Sequence, residues 1–576
     1  MGECKIGVYI CNCGTNIAKV VDCDAVARAA QALPGVAVAR SYKYTCSTPG
    51  QETIVKDIRE LGLDRVVVAA CSPRMHEPTF RRALQTAGIN PYFLEMANIR
   101  EQCSWVHDDA RAATDKALAL THAAVKRVAH HEPLEKRTVD MCPATLVLGG
   151  GIAGLTAALE LADAGQPVYL VEREDRLGGN LARVDLTAPY LDSARDLLSD
   201  RIRRVLDDPK IEVLLRSTLQ SLSGFVGNFK AELRVGPDNV RKVDVGSVLV
   251  ATGFREFDAR RIAHYGYGKL PNVVTSFELE RMLREGRILT RGGKLPKYVA
   301  MIHCVGSRNR EYHGYCSRVC CMTALKYGHE IKSALPGTYV YDLYIDMHAI
   351  GKGCEDFYRR TAEMKTMFLM YAKGTTPEIV PSGPEDDCEM LIRIPEMLSG
   401  EEIEVPADLV VLMVGMEARE DAAEVAHLVN ISQDKDGWFI ESHPKLDPVA
   451  TTTEGVFIAG TCQAPKGIPS SVAQAEAAAA RILGKISRGK IEVDAVFAEV
   501  DENRCSGCRM CNELCPYAAI EYDPVARRSR VISAVCKACG CCVAACPSGA
   551  IQGRHFTDRQ IYAQIEGVLE WASSQG

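Results

Sequence analysis

Two identical cysteine patterns lie near the carboxyl end of the chain. The stretches "CSGCRMCNELCP" and "CKACGCCVAACP" each follow the spacing C-x2-C-x2-C-x3-C-P. Their cysteines are Cys505, Cys508, Cys511, Cys515, Cys536, Cys539, Cys542 and Cys546. This spacing is typical of bacterial ferredoxins, in which the fourth cysteine of each pattern ligates the other of two 4Fe–4S clusters. One cluster would therefore take Cys505, Cys508, Cys511 and Cys546, and the other would take Cys536, Cys539, Cys542 and Cys515. Zinc is the alternative metal, but two identical patterns that each end in Cys-Pro favour clusters. The remaining Cys541 is predicted to be a packed thiol.

A glycine-rich turn follows the strand-like run "ATLVL". Gly149, Gly151 and Gly154 form G-x-G-x-x-G at the start of a predicted helix. Such glycines permit a tight turn, a close approach of the backbone to a pyrophosphate and close helix packing, and the helix N-terminus faces the anion. Glu172 ends the next predicted strand, where a carboxylate can accept a hydrogen bond from a ribose hydroxyl. The stretch therefore predicts a dinucleotide site.

Three further motifs indicate which dinucleotide is bound. They are "RLGGN" at 176–180, "VLVATGF" at 248–254 and "GVFIAGT" at 455–461. This set resembles the flavoproteins of the thioredoxin reductase type, which have two dinucleotide-binding domains, and the resemblance implies FAD. In that family the last motif usually ends in Gly-Asp, whereas Thr461 stands here, so the aspartate's contact is not expected. The further residues predicted to bind the cofactor are Arg173, Gly178, Gly179, Asn180, Ala251, Thr252, Gly253, Gly460 and Thr461.

The stretch "HCVGSRNREYHGYCSRVCCM" places cysteines where such a flavoprotein would bind a pyridine nucleotide. It follows the strand-like "KYVAMIH", but Cys304 occupies the expected glycine turn and only Gly306 of the glycine pattern remains. Cys316 and Cys320 are spaced i, i+4 and are predicted to share one face of a helix, with Cys321 directly after them. The pattern C-x11-C-x3-C-C suits a 4Fe–4S cluster in place of the nicotinamide cofactor. Zinc and buried free thiols are the alternatives.

The elements that position these residues alternate between strands and helices. From the N-terminus, predicted helices over 23–33, 51–61, 78–87 and 109–129 follow strand-like runs, which indicates a small parallel sheet of flavodoxin-like outline. The fold class is α/β and multidomain. We predict an N-terminal α/β domain over 1–135, an FAD domain of the thioredoxin-reductase type over 143–295 and 416–490, a second nucleotide-type domain over 296–415, and an α+β two-cluster ferredoxin domain over 491–576. The histidine pair in "AHHEPLEK" is predicted to lie in a solvated linker, and a role as a ligand is the alternative.

Five cysteines fall at the carboxyl edge of the first predicted sheet, where α/β folds build sites. They are Cys11, Cys13, Cys46, Cys71 and Cys103. Adjacent strands lie about 4.8 Å apart, so these thiols could converge on one 4Fe–4S cluster. Because Cys13 lies nearer the loop than Cys11, we favour Cys13, Cys46, Cys71 and Cys103 as the ligands. The alternative is that they are small apolar residues at strand ends.

Several stretches closely resemble HdrA, the flavin-containing component of heterodisulfide reductase. They are "YICNCG", "YKYTCSTPGQ", "CSPRMHEPTFRRAL", "EMANIREQCSWVH", "CVGSR", "YCSRVCCMTALKYG" and "IGKGCEDFYRR", and the resemblance spans nearly the whole chain. Members of that family often have an extra ferredoxin module within the FAD domain, but residues 180–250 here contain no cysteine. The resemblance implies flavin-based electron bifurcation or its reverse. It also implies an oligomeric complex with ferredoxin, with HdrB- and HdrC-like reductase subunits, and with a hydrogenase or formate dehydrogenase module.

Two lysines are candidates for the catalytic site. Lys326 follows the cysteines of "YCSRVCCM", and Lys466 follows the second FAD motif. A cation beside the flavin ring would stabilise its reduced, anionic form and tune its potential. The alternative for each is a surface lysine.

Composition limits the class of protein. The chain has 576 residues, 24 cysteines and a formal net charge of −6, and its acidic and basic residues are interspersed. This charge pattern gives no basis for nucleic-acid binding, and no apolar run reaches the roughly 18–20 residues of a membrane span. We expect a soluble, cytoplasmic protein without a signal peptide, in which the cysteines are reduced and bind metal.

The residues leave three functions open. The first is a redox subunit in which one FAD and four 4Fe–4S clusters exchange electrons. The second is an NAD(P)H-dependent flavin reductase, which needs the glycine turn that Cys304 disrupts. The third is an electron-transfer scaffold in which FAD is only structural.

Overall fold

The computed structural model describes residues 4–574. The chain folds as two compact units, one formed by Met1–Thr138 with Glu492–Gly576 and the other by Val139–Ile491. Within residues 4–574, no helix combines the length and apolar character that are needed to cross a membrane.

The N-terminal part of the first unit is a parallel four-stranded sheet with helices between its strands. Its strands are β1 (Ile6–Asn12), β2 (Val36–Lys43), β3 (Arg65–Ala70) and β4 (Leu94–Asn98), and its helices are α1 (Cys23–Gln31), α2 (Thr48–Leu61), α3 (Pro73–Ala87) and α4 (Ala110–Val128). The strand order is β2-β1-β3-β4, and all neighbours are parallel. Val66, Val67 and Val68 of β3 are fully buried, as expected for a strand covered on both faces. The α/β prediction for this region is confirmed.

Local sequence sets the ends of these helices. Asp22 accepts a hydrogen bond from the Ala25 amide at 2.9 Å and so caps the start of α1. Gly62 follows α2 in the left-handed region at φ 64°, where glycine ends a helix without strain. The chain then enters each strand from the same edge of the sheet, which brings the ends of β1, β2 and β3 together.

The prediction of a solvated linker after α4 is wrong for one of its residues. The side chain of His131 is buried, with 2% of the residue's surface exposed. Its Nδ1 lies 3.1 Å from the carbonyl oxygen of Tyr92, and its Nε2 lies 3.3 Å from a carboxylate oxygen of Glu95 in β4. The histidine therefore packs against the sheet, and the exposed chain begins after it and leads to β5 (Arg137–Asp140).

The second unit contains two parallel sheets, each of five strands. The elements of its first half are β6 (Thr145–Leu148), α5 (Ile152–Asp163), β7 (Val168–Val171), β8 (Leu186–Thr187), β9 (Asp192–Ser193), α6 (Ala194–Asp207), β10 (Ile211–Leu214), β11 (Ser217–Phe225), β12 (Asn228–Val235), β13 (Asn239–Val245), β14 (Ser247–Val250), β15 (Arg255–Glu256), β16 (Val273–Thr275) and α7 (Ser276–Arg284). Those of its second half are β17 (Tyr298–Val305), α8 (Cys320–Ala334), β18 (Tyr339–Tyr344), α9 (Cys354–Glu363), β19 (Thr366–Met370), β20 (Glu378–Pro381), β21 (Met390–Pro395), β22 (Glu402–Ala407), β23 (Leu409–Val414), β24 (Met416–Glu417), α10 (Ala422–Val429), β25 (Val456–Ile458), α11 (Ile468–Ile486) and β26 (Lys490–Val493).

Each of the two parallel sheets is accompanied by a three-stranded antiparallel sheet. The first has the order β10-β7-β6-β14-β25 and is accompanied by the antiparallel sheet β11-β12-β13. The second has the order β16-β23-β17-β18-β19 and is accompanied by the antiparallel sheet β20-β21-β22. This duplication confirms the predicted pair of nucleotide-type folds. The second sheet also includes β16, which precedes the domain boundary predicted at residue 296.

The C-terminal part of the first unit consists of short hairpins and helices. Its elements are β27 (Ala498–Val500), α12 (Met510–Leu514), β28 (Ile520–Asp523), β29 (Arg528–Val531), α13 (Cys541–Ala545), β30 (Ile551–Gly553) and α14 (Asp558–Ser574). Strand β27 pairs with β30 and β28 with β29, both antiparallel. The α+β prediction for this region is confirmed.

Candidate functional site

A large cavity lies at the carboxyl edge of the first five-stranded sheet in the second unit. Its volume is about 1230 Å³, above the range of about 300–1,000 Å³ that is usual for small-molecule sites. Its wall includes Gly149 and Gly151 at the start of α5, Glu172 after β7, and Thr252 after β14. Of the other residues predicted to bind the cofactor, the wall contains Arg173, Gly178, Gly179, Asn180, Ala251, Gly253, Gly460 and Thr461.

The three glycines of the turn serve three different purposes. Gly149 has φ +114°, and a Cβ there would lie 2.4 Å from the Ala251 carbonyl oxygen. A Cβ on Gly154 would lie 1.8 Å from the Gly149 carbonyl oxygen, so this glycine permits the helix to pack on the turn. A Cβ on Gly151 would meet no protein atom within 4 Å, because this residue faces the cavity. At Gly151 the backbone is therefore accessible to a ligand. At Gly149 and Gly154 the missing side chain instead leaves room for neighbouring backbone atoms.

Hydrogen bonds hold the cavity wall in place. Glu172 is buried, and its carboxylate accepts hydrogen bonds from the amides of Gly150 at 2.7 Å and Glu174 at 2.9 Å. The Asn180 side chain donates to the Phe254 carbonyl oxygen at 2.9 Å. Helix α5 has Gly151 as its N-cap and no side-chain cap, so the amides of its first turn face the cavity. An open helix N-terminus beside a fixed carboxylate fits the pyrophosphate and ribose of a dinucleotide.

Lys326 lies in the same cavity wall and is not a surface lysine. It is buried, contacts Glu280 of α7, and donates to the Leu186 carbonyl oxygen at 3.1 Å. Glu330 lies 3.6 Å from the same ammonium group. Burial raises the pKa of Glu330 to about 7, while Lys326 opposes and Glu280 reinforces that shift. Neither glutamate is predicted from the sequence, because no motif distinguishes a buried glutamate on an amphipathic helix from an exposed one.

Removing the Lys326 charge is expected to destabilise the second unit. Lys326→Met would leave the Glu280 carboxylate buried without its cation, and breaking a buried ion pair from one side costs about 3–5 kcal/mol. The midpoint of urea unfolding, followed by flavin fluorescence, should fall. The double variant Glu280→Gln/Lys326→Met should recover part of the loss. An unchanged midpoint in Lys326→Met would show that the pair contributes nothing to stability.

Lys466 is also buried in the cavity wall. Its ammonium group donates to the Gly460 carbonyl oxygen and to the Gln463 side chain, both at 2.7 Å. Burial lowers the pKa of Lys466 to about 8, and Cys462 acts in the opposite direction. Its charge therefore changes near neutral pH, which is unusual for a lysine.

The cysteine-containing turn at the end of β17 differs from a nucleotide-binding turn. Cys304 has φ +58°, in the left-handed region that favours glycine. Gly306 has φ +79°, and a Cβ there would lie 2.2 Å from the Phe257 ring. The close approach that Gly306 permits is therefore to a protein side chain and not to a phosphate.

The prediction that Cys316 and Cys320 lie on one helix is wrong. Helix α8 begins at Cys320, and Arg318 before it has φ +63°, which interrupts a helix. Cys316 lies in the preceding loop, where its Sγ accepts a hydrogen bond from the Arg318 amide at 3.3 Å. The two cysteines thus come from a loop and a helix start instead of one helix face.

The four thiols of this region are nevertheless gathered. Burial raises the pKa of Cys304 to about 12, and Cys321 and Cys316 add to that shift. Burial raises the pKa of Cys320 well above its usual value, and Cys304, Cys321 and Cys316 reinforce it. Burial acts to raise the pKa of Cys321, but the interactions with His303 and with the His348 backbone together outweigh it, so the net shift is downward. Such a set of mutually destabilised thiolates suits a metal cluster, which neutralises them.

No sequence motif marks His303 as a functional residue. It is fully buried, and its Nε2 lies 2.5 Å from Asp342, which is also fully buried. Although burial acts to lower the pKa of His303, Asp342 and Cys321 raise it to about 10. A buried charged pair thus lies next to the four thiols.

Among the C-terminal cysteines, Cys515 interacts with those of the second pattern. Burial raises the pKa of Cys542 to about 11, and Cys536, Cys515 and Cys539 add to the shift. Cys515 therefore lies with the second pattern and not with its own. The Ala519 amide donates to the Cys515 sulfur at 3.2 Å, and the Ala550 amide donates to the Cys546 sulfur at 3.3 Å. The two halves are thus equivalent around their last cysteines.

Cys541 is exposed, so the prediction of a packed thiol is wrong. Helix α13 begins at Cys541, after Gly540 at φ 80°, just as α12 begins at Met510, after Arg509 at φ 63°. Cys541 therefore corresponds to Met510, which is 45% exposed. Its position in the repeat, and not its residue type, explains its exposure.

The N-terminal cysteines separate into a group of four and a fifth residue. Burial raises the pKa of Cys11, and the thiols of Cys13 and Cys46 contribute to the shift. Burial likewise raises the pKa of Cys71 to about 11, with contributions from Cys11 and Cys46. Burial also raises the pKa of Cys103 to about 11. The only other group that shifts it is Lys116 of α4, which lowers it, and no cysteine contributes. The structure brings together Cys11, Cys13, Cys46 and Cys71, and it places Cys103 in a different environment.

Comparison with known proteins agrees with this architecture. Residues 143–479 match the family model "Pyridine nucleotide-disulphide oxidoreductase", and residues 504–550 match "4Fe-4S dicluster domain". The chain is similar to thioredoxin reductase of T. acidophilum at 16% identity, over 60% of this chain and 99% of that chain, with a TM-score of 0.41. The fold, the cavity and the cysteine patterns define an FAD-dependent oxidoreductase subunit with iron–sulfur clusters.

Two relatives match over almost their whole length. The chain is 41% identical to the second HdrA-type iron-sulfur subunit of CoB–CoM heterodisulfide reductase from Methanopyrus kandleri, over 98% of this chain and 99% of that protein. It is 39% identical to the HdrA-type subunit of H2:CoB-CoM heterodisulfide,ferredoxin reductase from Methanothermobacter marburgensis, over 100% of this chain and 99% of that protein. The chain belongs to the HdrA family of heterodisulfide reductase components. The first alignment runs over 654 residues, more than the 576 of this chain, so that relative contains residues without a counterpart here.

Proposed function

We propose that the chain couples ferredoxin to a heterodisulfide-type reductase by flavin-based electron bifurcation, or by the reverse reaction, confurcation. The observation that supports this best concerns Cys320, which belongs to the four-thiol group and also forms part of the cavity wall. A cluster held there would lie next to the flavin, where a reductase of this fold would place its nicotinamide. FAD supplies chemistry that the amino acids lack, since it accepts electrons in pairs and passes them on singly.

We further propose four 4Fe–4S clusters with ligands in four groups. Two groups are the crossed C-terminal sets, Cys505, Cys508, Cys511 with Cys546, and Cys536, Cys539, Cys542 with Cys515. A third is Cys304, Cys316, Cys320 and Cys321. The fourth includes Cys13, Cys46 and Cys71. Lys326 and Lys466 would hold positive charge at the cavity wall, where it tunes the potential of the bound flavin.

The fourth N-terminal ligand is Cys11 or Cys103, and the electrostatic grouping favours Cys11. We expect Cys11→Ser to lose one cluster, measured as iron content and as the EPR spectrum of the reduced protein. Cys103→Ser is the matched control because it also removes a buried thiol from the same unit. The reverse result, in which only Cys103→Ser loses iron, would support the sequence prediction.

The proposed partners follow from the names of the relatives. Those names include ferredoxin, H2 and, for the relative from Methanococcus maripaludis, formate. We propose HdrB- and HdrC-like partner subunits, together with a hydrogenase or a formate dehydrogenase as the source of electrons.

The proposal predicts that reduction of ferredoxin depends strictly on the presence of the second acceptor, the heterodisulfide. In the complex isolated with its partner subunits, ferredoxin reduction by H2 or formate should occur only when the heterodisulfide is also supplied. The measurement is anaerobic ferredoxin reduction with and without the heterodisulfide. Ferredoxin reduction that proceeds unchanged without it would indicate an electron-transfer scaffold. Bleaching of the flavin by NADPH alone would indicate an NAD(P)H-dependent reductase.

A further inference from the structure

A buried cluster of metal-ligating side chains lies in the first unit and includes none of the cysteines described above. It consists of Glu95 in β4, His131 after α4, and His555 between β30 and α14. All three residues are buried, with 9%, 2% and 7% of their surface exposed. One ligand atom from each lies within 4.8 Å of the other two. None of the predicted cofactor sites uses these residues.

The hydrogen bond of His131 determines which of its nitrogens is free. Its Nδ1 lies 3.1 Å from the Tyr92 carbonyl oxygen, which can only accept, so Nδ1 holds the proton. In the neutral ring Nε2 is then a bare lone pair, and it lies 3.3 Å from Glu95 Oε2. Two lone pairs that face each other in a buried site repel unless a cation lies between them. A backbone carbonyl that fixes the tautomer in this way is the usual support of a metal-binding histidine.

A hydrogen bond between His131 Nε2 and Glu95 does not account for this contact. The contact between His131 Nε2 and Glu95 is close, yet Nε2 has no hydrogen-bond partner of acceptable geometry among the described residues. His555 Nδ1 is likewise buried without a partner among them. The ring centroids of the two histidines are 4.2 Å apart, and one nitrogen of each ring lies within 4.8 Å of a Glu95 carboxylate oxygen.

Arg127 occupies the other side of the carboxylate. It lies 3.0 Å from Glu95 Oε1 and donates to the His555 carbonyl oxygen at 2.9 Å. This leaves Oε2 for a metal and anchors the backbone of His555, which has φ +68°. A non-glycine residue in this region is held there by its surroundings.

We propose that Glu95, His131 and His555 bind a zinc ion. Two imidazoles and one carboxylate form a known zinc ligand set, with ligand atoms about 2.0–2.2 Å from the metal. Tetrahedral geometry at those distances places ligand atoms about 3.3–3.6 Å apart. The ligand atoms, now within 4.8 Å of one another, would move closer together around the ion. The ion would hold together β4, the end of α4 and the segment before α14. None of its three ligands belongs to the flavin cavity wall, and we therefore assign the ion a structural role.

Metal analysis of the whole protein tests the zinc site. The anaerobically purified holoprotein should contain one zinc per chain in addition to its iron, measured by inductively coupled plasma mass spectrometry. His555→Gln should lose the zinc and keep its iron, because the Arg127 contact is to the backbone of His555 and survives. His122→Gln is the matched control, since His122 lies on α4 and contacts Glu570 instead. Zinc that is substoichiometric in the parent, or unchanged in His555→Gln, would overturn the proposal.

X-ray absorption at the zinc edge gives a second readout that does not depend on any variant. The first shell should contain only nitrogen and oxygen, with the multiple scattering of two imidazoles. Sulfur in the first shell would place the zinc at a cysteine group and would overturn the assignment to this site. This result is independent of electron bifurcation, because neither the ligands nor the readout involves the flavin.

Discussion

Replacing Gly151 with valine should yield a chain that folds but purifies without flavin. A Cβ at this position meets no protein atom within 4 Å, so the substitution creates no clash in the protein itself. The backbone of Gly151 has φ −78° and ψ −178°, an extended conformation that valine adopts readily. The new side chain would instead fill the space above the open N-terminus of α5, where a pyrophosphate binds. The flavin absorbance per chain should fall at least tenfold.

Gly484→Val is the matched control for this substitution. Gly484 lies in α11, and a Cβ there also meets no protein atom within 4 Å, but the residue is outside the cavity wall. This variant should retain the full flavin absorbance. A fully yellow Gly151→Val protein would refute the assignment of the cavity. The corresponding test at Gly149 or Gly154 would be less informative, because a side chain at either position clashes with the backbone.

The flavin-type fold can be predicted well from the sequence because each of its motifs is a short contiguous stretch of residues. The glycines of the first turn, the acid at Glu172 and the later motif at Gly460 all lie at ends of strands of one sheet. A parallel sheet brings the ends of its strands to one edge, so residues distant in sequence are predicted to meet. The same rule explains the gathering of Cys11, Cys13, Cys46 and Cys71.

The failures of prediction concern local backbone conformation. Periodicity places Cys316 and Cys320 on one helix, but Arg318 adopts a left-handed conformation that no residue pattern indicates. Cys103 follows β4 in sequence as Cys71 follows β3, yet it lies in a π-helical turn over Arg100–Ser104, and no other cysteine is among the groups that shift its pKa. Such turns depend on packing, which spacing does not report.

Buried charge is the second class of feature that the sequence does not reveal. Glu280, Glu330, His303 and His131 are ordinary residues in their local patterns. Only the fold brings Glu280 to Lys326 and His303 to Asp342, over separations of 46 and 39 residues that no short motif spans. These residues are therefore found from burial and contacts, and their functions need direct tests.

The second large effect is expected from a substitution in the group of Cys304, Cys316, Cys320 and Cys321, which should remove a whole cluster. Cys320→Ala should remove or alter one cluster while the flavin is retained, because Gly151 and Glu172 are untouched. Without a metal, the thiols of Cys304 and Cys320 must stay protonated, since burial and the neighbouring cysteines raise the pKa of both. An iron–sulfur cluster removes that penalty and needs all four ligands.

Cys354→Ala is the matched control for the Cys320 substitution. Cys354 is also a buried cysteine in the cavity wall, but it lies in α9 and outside the four-thiol group. Iron analysis of Cys320→Ala should show the content of one 4Fe–4S cluster missing, or EPR should show its conversion to a three-iron cluster, whereas Cys354→Ala should match the parent. Unchanged iron and an unchanged EPR spectrum in Cys320→Ala would refute the cluster, as would zinc bound by these cysteines. Since Cys320 joins the thiol group to the cavity wall, the loss of its cluster should also slow flavin reduction by the proposed partner subunits. A pyridine nucleotide should not restore the rate, because Gly306 packs against Phe257.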